Sequence, residues 1–238
     1  FFFKQKTAYE IPKRDWSSDV CSSDLTKLSH LHFVATEDYA RRVRQLGEEA
    51  WRVTVSGAPA LDHLATLRLL PASELAARFG VTMDPAPILV TFHPATLEPG
   101  AEAAQTDELL AALSDTDRPL IFSAPNADTR GQVVAHKLRA FAATHPGAKY
   151  VESFGTQAYF SLLASAAAMV GNSSSGLIEA PSFGLPVVNL GLRQAGRQRG
   201  QNVIDVDCGR TAISAGLRRA LSAEFRATLQ GAVNPYAH

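Results

Sequence analysis

Short apolar segments alternate with longer amphipathic segments along most of this chain, and this alternation constrains the fold more than any other feature. Five apolar runs between residues 88 and 190 predict β-strands, and the stretches between them predict helices. Strands that alternate with helices form a parallel sheet with helices on both faces. We therefore predict an α/β fold of the Rossmann-like, doubly wound type. The predicted strands are 88–92, 120–123, 148–151, 166–170 and 186–190, and the predicted helices are 105–114, 130–144, 156–165 and 176–183.

The same alternation is present upstream. Residues 31–35 and 53–57 predict strands, a helix is predicted from Thr36 to Gly47, and another is predicted to run through Leu70. In open α/β sheets, ligands bind beyond the carboxyl ends of the strands. The loop residues that directly follow predicted strands are therefore the first candidates for a binding site. They include His93, Asn126, residues 171–175 and residues 191–193.

The most distinctive loop is Gly-Asn-Ser-Ser-Ser-Gly at residues 171–176, between a predicted strand and a predicted helix. The first N–H groups of a helix lack intrahelical partners and carry the positive end of its dipole, so such a turn favours phosphate. Ser173, Ser174 and Ser175 add hydroxyl donors, and the Glu179 carboxylate is placed to accept hydrogen bonds from a ribose cis-diol. Together they predict a nucleotide site. A serine followed by a glutamate is also an ordinary helix-capping pattern that needs no ligand.

Two further side chains are candidates for this site. His93 precedes Pro94, which favours an extended backbone that projects the imidazole from the strand end, and Arg193 carries a planar guanidinium suited to two phosphate oxygens. From the residues alone, a lone histidine is more often a structural hydrogen-bond partner, and Arg193 is equally a solvated loop arginine. Tyr159 and Phe160 are predicted to pack in the core. The residues predicted mainly to shape loops are Gly57, Asp62, Asn126 and Asp128.

Composition excludes several classes of protein. The 23 basic side chains balance 23 acidic ones, so the chain lacks the basic excess of a nonspecific nucleic-acid binder. No apolar run approaches the roughly 20 residues of a membrane span, and two cysteines make no disulfide framework. The first strand is not followed by Gly-x-Gly-x-x-Gly, and the histidines do not cluster at metal-ligand spacing. We expect a cytoplasmic protein with no cofactor or metal and with no nucleic-acid or membrane partner.

Five segments in a fixed order carry a family resemblance. They are residues 89–94, 123–128, 171–176, 186–194 and 234–236. Together they resemble the UDP-N-acetylglucosamine 2-epimerases, and most of all the hydrolysing branch that serves sialic and nonulosonic acid synthesis. The resemblance covers Thr26 to the end of the chain. It implies the C-terminal half of a GT-B-type two-domain epimerase fold, and a homodimer when the protein is full length.

The resemblance also implies a reaction and a site. UDP is eliminated from UDP-N-acetylglucosamine after loss of the proton at sugar carbon 2, and water then adds to the glycal to give N-acetylmannosamine. His93 is implied to be an active-site residue that contacts the phosphate or leaving group. The implied UDP-binding residues are Ser173, Ser174, Ser175, Gly176, Glu179 and Arg193.

We expect the chain to consist of four segments of very different length. Residues 1–25 show neither helical nor strand periodicity and resemble a translated sequencing adapter, so we expect them to be non-native. The resemblance implies that residues 26–36 are a remnant of an N-terminal domain, that 37–230 form the UDP-binding domain and that 231–238 begin a truncated return segment. On this interpretation the carboxylates that move the proton are missing, and the chain binds UDP weakly without turnover.

Three alternatives remain open at this stage. A GT-B glycosyltransferase shares the serine and glutamate pattern but transfers sugar to an acceptor. A stand-alone UDP-binding module is the non-catalytic alternative. UDP-diacetylbacillosamine is the alternative substrate for an epimerase.

Overall fold

The computed structural model describes residues 24–95, 100–125 and 131–238 of the chain. Most of the segment predicted to be foreign, and the loop residues Asn126 and Asp128, lie outside these described residues. The described residues form two compact units, residues 24–59 with His238 and residues 60–237. Within these ranges, no helix combines the length and the apolar character that crossing a bilayer requires.

The smaller unit contains a two-stranded parallel sheet. Strand β1 (His32–Val34) pairs with β2 (Val53–Val55), and helix α1 (Glu37–Gln45) connects them, with a short 3₁₀ helix (Ala50–Arg52) before β2. Thr36 caps α1, because its hydroxyl accepts a hydrogen bond from the Tyr39 N–H at 3.3 Å. The two predicted strands and the helix predicted to begin near Thr36 are confirmed.

The larger unit is built on a six-stranded parallel sheet of order β5-β4-β3-β6-β7-β8. β3 and β6 are central neighbours, and their register pairs Ile88 with Ala168 and Thr91 with Gly171. The five strands predicted for this region are confirmed, and the edge strand β8 was not predicted. The strands are β3 (Ile88–Thr91), β4 (Leu120–Ser123), β5 (Ala148–Val151), β6 (Ala168–Gly171), β7 (Val187–Leu190) and β8 (Val203–Val206).

Helices connect the strands from β3 to β7, whereas a loop joins β7 to β8. In its described residues this unit has the helices α2 (Ala72–Phe79), α3 (Glu102–Leu113), α4 (Gly131–Thr144), α5 (Gly155–Ser165), α6 (Ser175–Ile178), α7 (Arg210–Leu221) and α8 (Ala223–Ala227). Three of the helices predicted between strands, now α3, α4 and α5, are present at nearly the predicted positions.

Two predicted helices are wrong in extent, and proline explains one of them. A 3₁₀ helix (Pro59–Ala65) takes the place of the helix predicted through Leu70. The helix predicted over 176–183 is split into α6 and a 3₁₀ helix (Ala180–Phe183). Pro181 has no N–H to donate to the carbonyl four residues earlier, so the α-helical ladder cannot continue.

The core occupies both faces of the larger sheet. Ile88 and Val90 pack into one apolar cluster, whereas Leu89, between them, packs into the other with Ile121. This division follows from the strand repeat, since successive side chains point to opposite faces. All residues of β3, β4, β6 and β7 are buried, as expected for strands that helices cover on both sides. Because β3 and β6 pair in parallel, the loops that follow them lie side by side.

Candidate functional site

A cleft of about 450 Å³ opens at the carboxyl ends of the central strands of the larger unit. Loops from four strands contribute to it, which matches the position expected for ligands in an open α/β sheet. The cleft brings together His93, all three serines and Glu179 from the sequence-predicted site. The lining residues are Thr91, His93, Ser123, Ala124, residues 152–156, Tyr159, Phe160, Ser173, Ser174, Ser175 and Glu179.

The serine turn depends on a close approach between β3 and β6. Gly171 has φ of +139°, and a Cβ built on it would lie 2.0 Å from the Thr91 carbonyl oxygen. Only glycine fits this backbone and this space. The chain can therefore turn away from the sheet immediately after β6, and this turn presents Ser173 and Ser174 to the cleft.

The serine turn contains both a helix cap and backbone donors that have no acceptor among the described residues. Ser173 has a capping role, since its hydroxyl accepts a hydrogen bond from the Ser175 N–H at 3.3 Å and its carbonyl accepts one from Gly176. Within the described chain, by contrast, the backbone N–H groups of Ser173 and Ser174 donate to no protein acceptor. The capping pattern and the ligand pattern thus coexist here. Because α6 is only four residues long, an anion would be held mainly by these individual donors.

Three buried oxygens in the cleft have no hydrogen-bond partner in the described structure. They are the hydroxyls of Thr91 and Ser175 and one carboxylate oxygen of Glu179. Thr91 and Ser175 are only 5% and 8% exposed. Leaving such groups unpaired costs about 1–3 kcal/mol each, so a cluster of them indicates a place for a polar ligand or water.

Burial raises the pKa of the Glu179 carboxyl above its ordinary value. The neighbouring Ser175 hydroxyl and the positive charge of Arg197 act in the opposite direction but do not cancel the burial. A partly desolvated carboxylate with an unpaired oxygen is a strong acceptor for hydroxyl groups of a ligand. Glu179 therefore suits the ribose-binding role that the sequence predicts.

Tyr159 is a cleft residue that sequence analysis placed in the core. It packs in the apolar cluster as predicted, with its ring centroid 6.5 Å from that of Phe154, but it also lines the cleft. Burial raises the pKa of its phenol, and the Ser175 and Thr91 hydroxyls lower it without forming hydrogen bonds of normal geometry. The apolar spacing of α5 gave no signal that the phenol faces the cleft.

His93 is held at the cleft through its backbone. The His93 N–H donates to the Asn172 side-chain oxygen at 2.8 Å, and the Asn172 side-chain nitrogen donates to the His93 carbonyl at 2.8 Å. The residue is 8% exposed and lines the cleft. The sequence signal for His93, a histidine between a strand end and a proline, therefore identified a cleft residue, while its partner Asn172 was not singled out.

Arg193 and Gly176 are not among the residues that line the cleft. An Arg193 guanidinium nitrogen donates to the Asn172 carbonyl at 2.9 Å, so it bonds to the residue that precedes the serines of the turn. The arginine whose charge acts on Glu179 is the exposed Arg197. A contact between Arg193 and a ligand stays a prediction, and Arg197 is the candidate that sequence reasoning did not select.

A second, larger cavity of about 670 Å³ lies between the loop after β7 and helix α7. Of the loop residues that the sequence offered as candidates, Gly191 and Leu192 line this cavity, but none of the predicted UDP-binding side chains does. Its Arg199 is already paired with Asp205 at 3.2 Å, so this charge is neutralised within the protein. In the described part of the chain, no three side chains of the metal-binding types form a cluster. The smaller cleft, with its unpaired polar atoms, is the better candidate for function.

Comparison with known proteins identifies the family. The family model "UDP-N-acetylglucosamine 2-epimerase" matches residues 21–238. The polysialic acid biosynthesis protein P7 of Escherichia coli is 36% identical over 214 residues, which are 89% of this chain and 54% of P7. The hydrolysing UDP-N,N'-diacetylbacillosamine 2-epimerase of Legionella pneumophila is 36% identical over 198 residues, 83% of this chain and 52% of that enzyme. The chain thus spans about half the length of these relatives.

Solved structures agree on the fold. The S. aureus MnaA–UDP structure superimposes with a TM-score of 0.74 at 16% identity, covering 96% of this chain and 61% of that one. The Neisseria meningitidis UDP-GlcNAc 2-epimerase bound to UDP-GlcNAc gives a TM-score of 0.71 at 16% identity, covering 93% and 62%. The predicted fold, a doubly wound parallel sheet of the GT-B type, is confirmed. By sequence and by fold, this chain belongs to the UDP-N-acetylglucosamine 2-epimerase family.

Proposed function

We propose that the chain supplies the UDP-binding lobe of a hydrolysing UDP-sugar 2-epimerase. The observation that carries this proposal is the cleft itself, which is lined by Ser173, Ser174 and Glu179. In the described chain the backbone N–H groups of the two serines have no acceptor, and the partly buried Glu179 carboxylate has one buried oxygen without a partner. Donors of this kind suit a diphosphate, and the carboxylate suits the ribose hydroxyls. The similarity to enzymes named as UDP-sugar 2-epimerases supports a UDP-sugar as the ligand.

The proposed reaction converts UDP-N-acetylglucosamine and water into UDP and N-acetylmannosamine. A base removes the proton at sugar carbon 2, the bond from carbon 1 to the UDP oxygen breaks, and the electron pair of the C–H bond forms the glycal double bond. Water then adds, with its hydroxyl at carbon 1 and a proton delivered to carbon 2 on the opposite face. The atoms balance without an oxidant or a metal.

The residues of this lobe act on the departing UDP. Negative charge grows on the diphosphate oxygen as the bond to carbon 1 breaks, and fixed donors stabilise that charge in the transition state. We assign this role to the serine turn and to the His93 imidazole, which donates a hydrogen bond or a proton to the leaving group. Glu179 holds the ribose, which fixes the diphosphate against these donors.

The domain assignment is part of the proposal. We assign UDP binding to residues 37–230, a remnant of the partner domain to residues 26–36, and the start of a return segment to residues 231–238. The carboxylates that move the proton at carbon 2 are assigned to the partner domain, so the 238-residue chain is proposed to bind UDP without turnover. Release of N-acetylmannosamine by this chain alone would contradict that assignment.

UDP-N,N'-diacetylbacillosamine is the second candidate substrate. Two hydrolysing 2-epimerases named for this sugar nucleotide, from Legionella pneumophila and Campylobacter jejuni, are 36% and 38% identical to this chain. The sugar does not contact the serine turn in the proposed arrangement, so both substrates are compatible with the same UDP site. The relative rates at which the complete enzyme hydrolyses the two UDP-sugars would show which of them is its substrate.

A chimera tests the function. Residues 26–238 would be joined to the N-terminal half of the P7 relative and assayed with each UDP-sugar in deuterated water. We expect release of UDP and of the free sugar with deuterium at carbon 2, and loss of activity in a Glu179→Ala chimera. A chimera that folds and binds UDP but forms product only when a sugar acceptor is added would instead show a glycosyltransferase.

A further inference from the structure

Asn172 is the first residue after β6, and it is 2% exposed. Its backbone N–H donates to the Thr91 carbonyl at 3.1 Å, one step beyond the last paired residues of β3 and β6. The backbone then leaves the sheet and enters the serine turn. Asn172 therefore stands where the sheet ends and the proposed diphosphate site begins.

Beyond the end of β6, the side chain of Asn172 makes the hydrogen bonds to the β3 side that a strand backbone would otherwise make. Its amide oxygen accepts from the His93 N–H at 2.8 Å, and its amide nitrogen donates to the His93 carbonyl at 2.8 Å. A side-chain amide has the same donor and acceptor as a peptide group, so it replaces the missing strand partner of His93. The backbone N–H groups of Ser173 and Ser174, which follow directly, donate to no acceptor in the part of the chain that the structure describes.

A third loop is joined to the same residue. The Asn172 backbone carbonyl accepts from Arg193 at 2.9 Å and from the Gln194 side-chain nitrogen at 2.8 Å. Both donors follow β7, and Gln194 is 2% exposed. One buried residue thus links the loops that follow β3, β6 and β7.

We propose that Asn172 is a positioning residue that fixes His93 relative to the serine turn, so that both sides of the cleft act together on the diphosphate. This inference rests on the proposed UDP site. Asn172 touches no ligand in this proposal and acts through His93. A residue that only stabilised the fold would lower stability without changing how the other site residues depend on one another.

A double-mutant cycle tests the inference on the 238-residue chain. UDP affinity is measured by calorimetry for the unmodified chain, His93→Ala, Asn172→Ala and the double variant. We expect His93→Ala to weaken binding about ten-fold in the unmodified background and by less than about two-fold in the Asn172→Ala background. If the double variant lost as much UDP affinity as the product of the two single losses, the two residues would act independently and the proposal would be overturned. The proposed function would still be supported in that case, provided that the unmodified chain binds UDP.

Asn189 offers a matched control. It is a buried asparagine on β7, 1% exposed, whose side-chain nitrogen donates to Asp205 at 2.7 Å rather than to a cleft loop. In the Asn189→Ala background, His93→Ala should still weaken UDP binding about ten-fold, as it does in the unmodified chain. The absence of UDP binding by the folded, unmodified chain would overturn both the inference and the proposed function.

Hydrogen exchange provides a test without ligand. The His93 amide should exchange slowly in the unmodified chain and markedly faster in Asn172→Ser, because serine cannot bridge both backbone groups of His93. Asn172→Ser also serves if the alanine variant does not fold. Equal protection of the His93 amide in both proteins would contradict the positioning role.

Discussion

At Glu179 the proposed binding of UDP and the stability of the unliganded chain make opposite demands on one carboxylate. Its raised pKa means that the folded chain binds this proton more tightly than the unfolded chain does. Between the ordinary carboxyl value of 4.5 and the raised value, the folded state holds more protons, so stability falls as pH rises through this window. Above the raised pKa, the full cost of the buried charge is present.

Glu179→Gln should therefore stabilise the unliganded chain and weaken UDP binding. At pH 7 to 8 we expect a melting temperature higher by about 2–4 °C, and a UDP affinity lower by about ten-fold. Near pH 4.5 the melting temperatures of variant and parent should converge. Thermal unfolding across this pH range and calorimetry at pH 7.5 provide the measurements.

Asp117→Asn is the control for this prediction. Asp117 is exposed to solvent, so its replacement by asparagine should leave the melting temperature close to that of the parent across this pH range. A Glu179→Gln chain that melts lower than the parent at neutral pH would show that the carboxylate stabilises the unliganded fold, contrary to the burial argument.

At the scale of single residues, the sequence pattern was enough to predict which side chains share one cleft. Ser173, Ser174, Ser175 and His93 lie just after a strand end or at a helix start, and Glu179 follows the short helix α6, so local position brings all five to the cleft. Their contact with UDP stays a prediction. Sequence analysis could not decide between Arg193 and Arg197. The path of the loop after β7, which spacing in the sequence does not reveal, determines which guanidinium acts on Glu179.

At the scale of secondary-structure elements, the contact between β3 and β6 depends on one glycine. Gly171→Ala would force a side-chain carbon against the Thr91 carbonyl and hold a non-glycine residue at a positive φ. We expect a loss of at least about 3 kcal/mol of unfolding free energy, measured by urea denaturation. The serine turn should lose UDP binding with it.

Gly209→Ala is the matched control. Gly209 has an ordinary φ of −89°, and nothing lies within 4 Å of a Cβ built there. Its variant should stay within about 1 kcal/mol of the parent. Comparable losses in both variants would show that the close approach at Gly171 is unimportant.

Element positions were predictable where apolar runs were continuous. β3 and β4 are buried along their whole length, and their sequences are unbroken apolar runs apart from a terminal Thr91 or Ser123. β8 was missed because only Val203, Ile204 and Val206 are apolar, with a charged residue between them. The predicted helix over 176–183 is longer than α6 because its apolar spacing continues through Pro181, which cannot donate the next backbone hydrogen bond of an α-helix.

At the scale of the whole chain, the two compact units differ greatly in their cores. In the described part of the smaller unit, the buried apolar side chains are Ala40, Val53 and Ala58, whereas Phe33 and Trp51 are 70% and 62% exposed. Burial of large apolar side chains supplies about 1.5–3 kcal/mol each, so this unit has little to stabilise it. The larger unit contains two extensive clusters.

Hydrogen exchange should reveal this difference. We expect the amides of β1 and β2 to exchange much faster than those of β3 and β6, because local opening is easier where few apolar contacts form. Mass spectrometry of exchanged peptides provides the measurement. Equal protection of the two sheets would show that the smaller unit is stabilised by more than its own buried side chains.

The most direct test of the central claim is calorimetric titration of UDP into the 238-residue chain. We predict one binding event with measurable heat, weakened about ten-fold or more by alanine at Glu179 and unchanged by alanine at the exposed Ser114. A folded chain that gives no heat with UDP, or that binds it equally well after Glu179→Ala, would contradict the account.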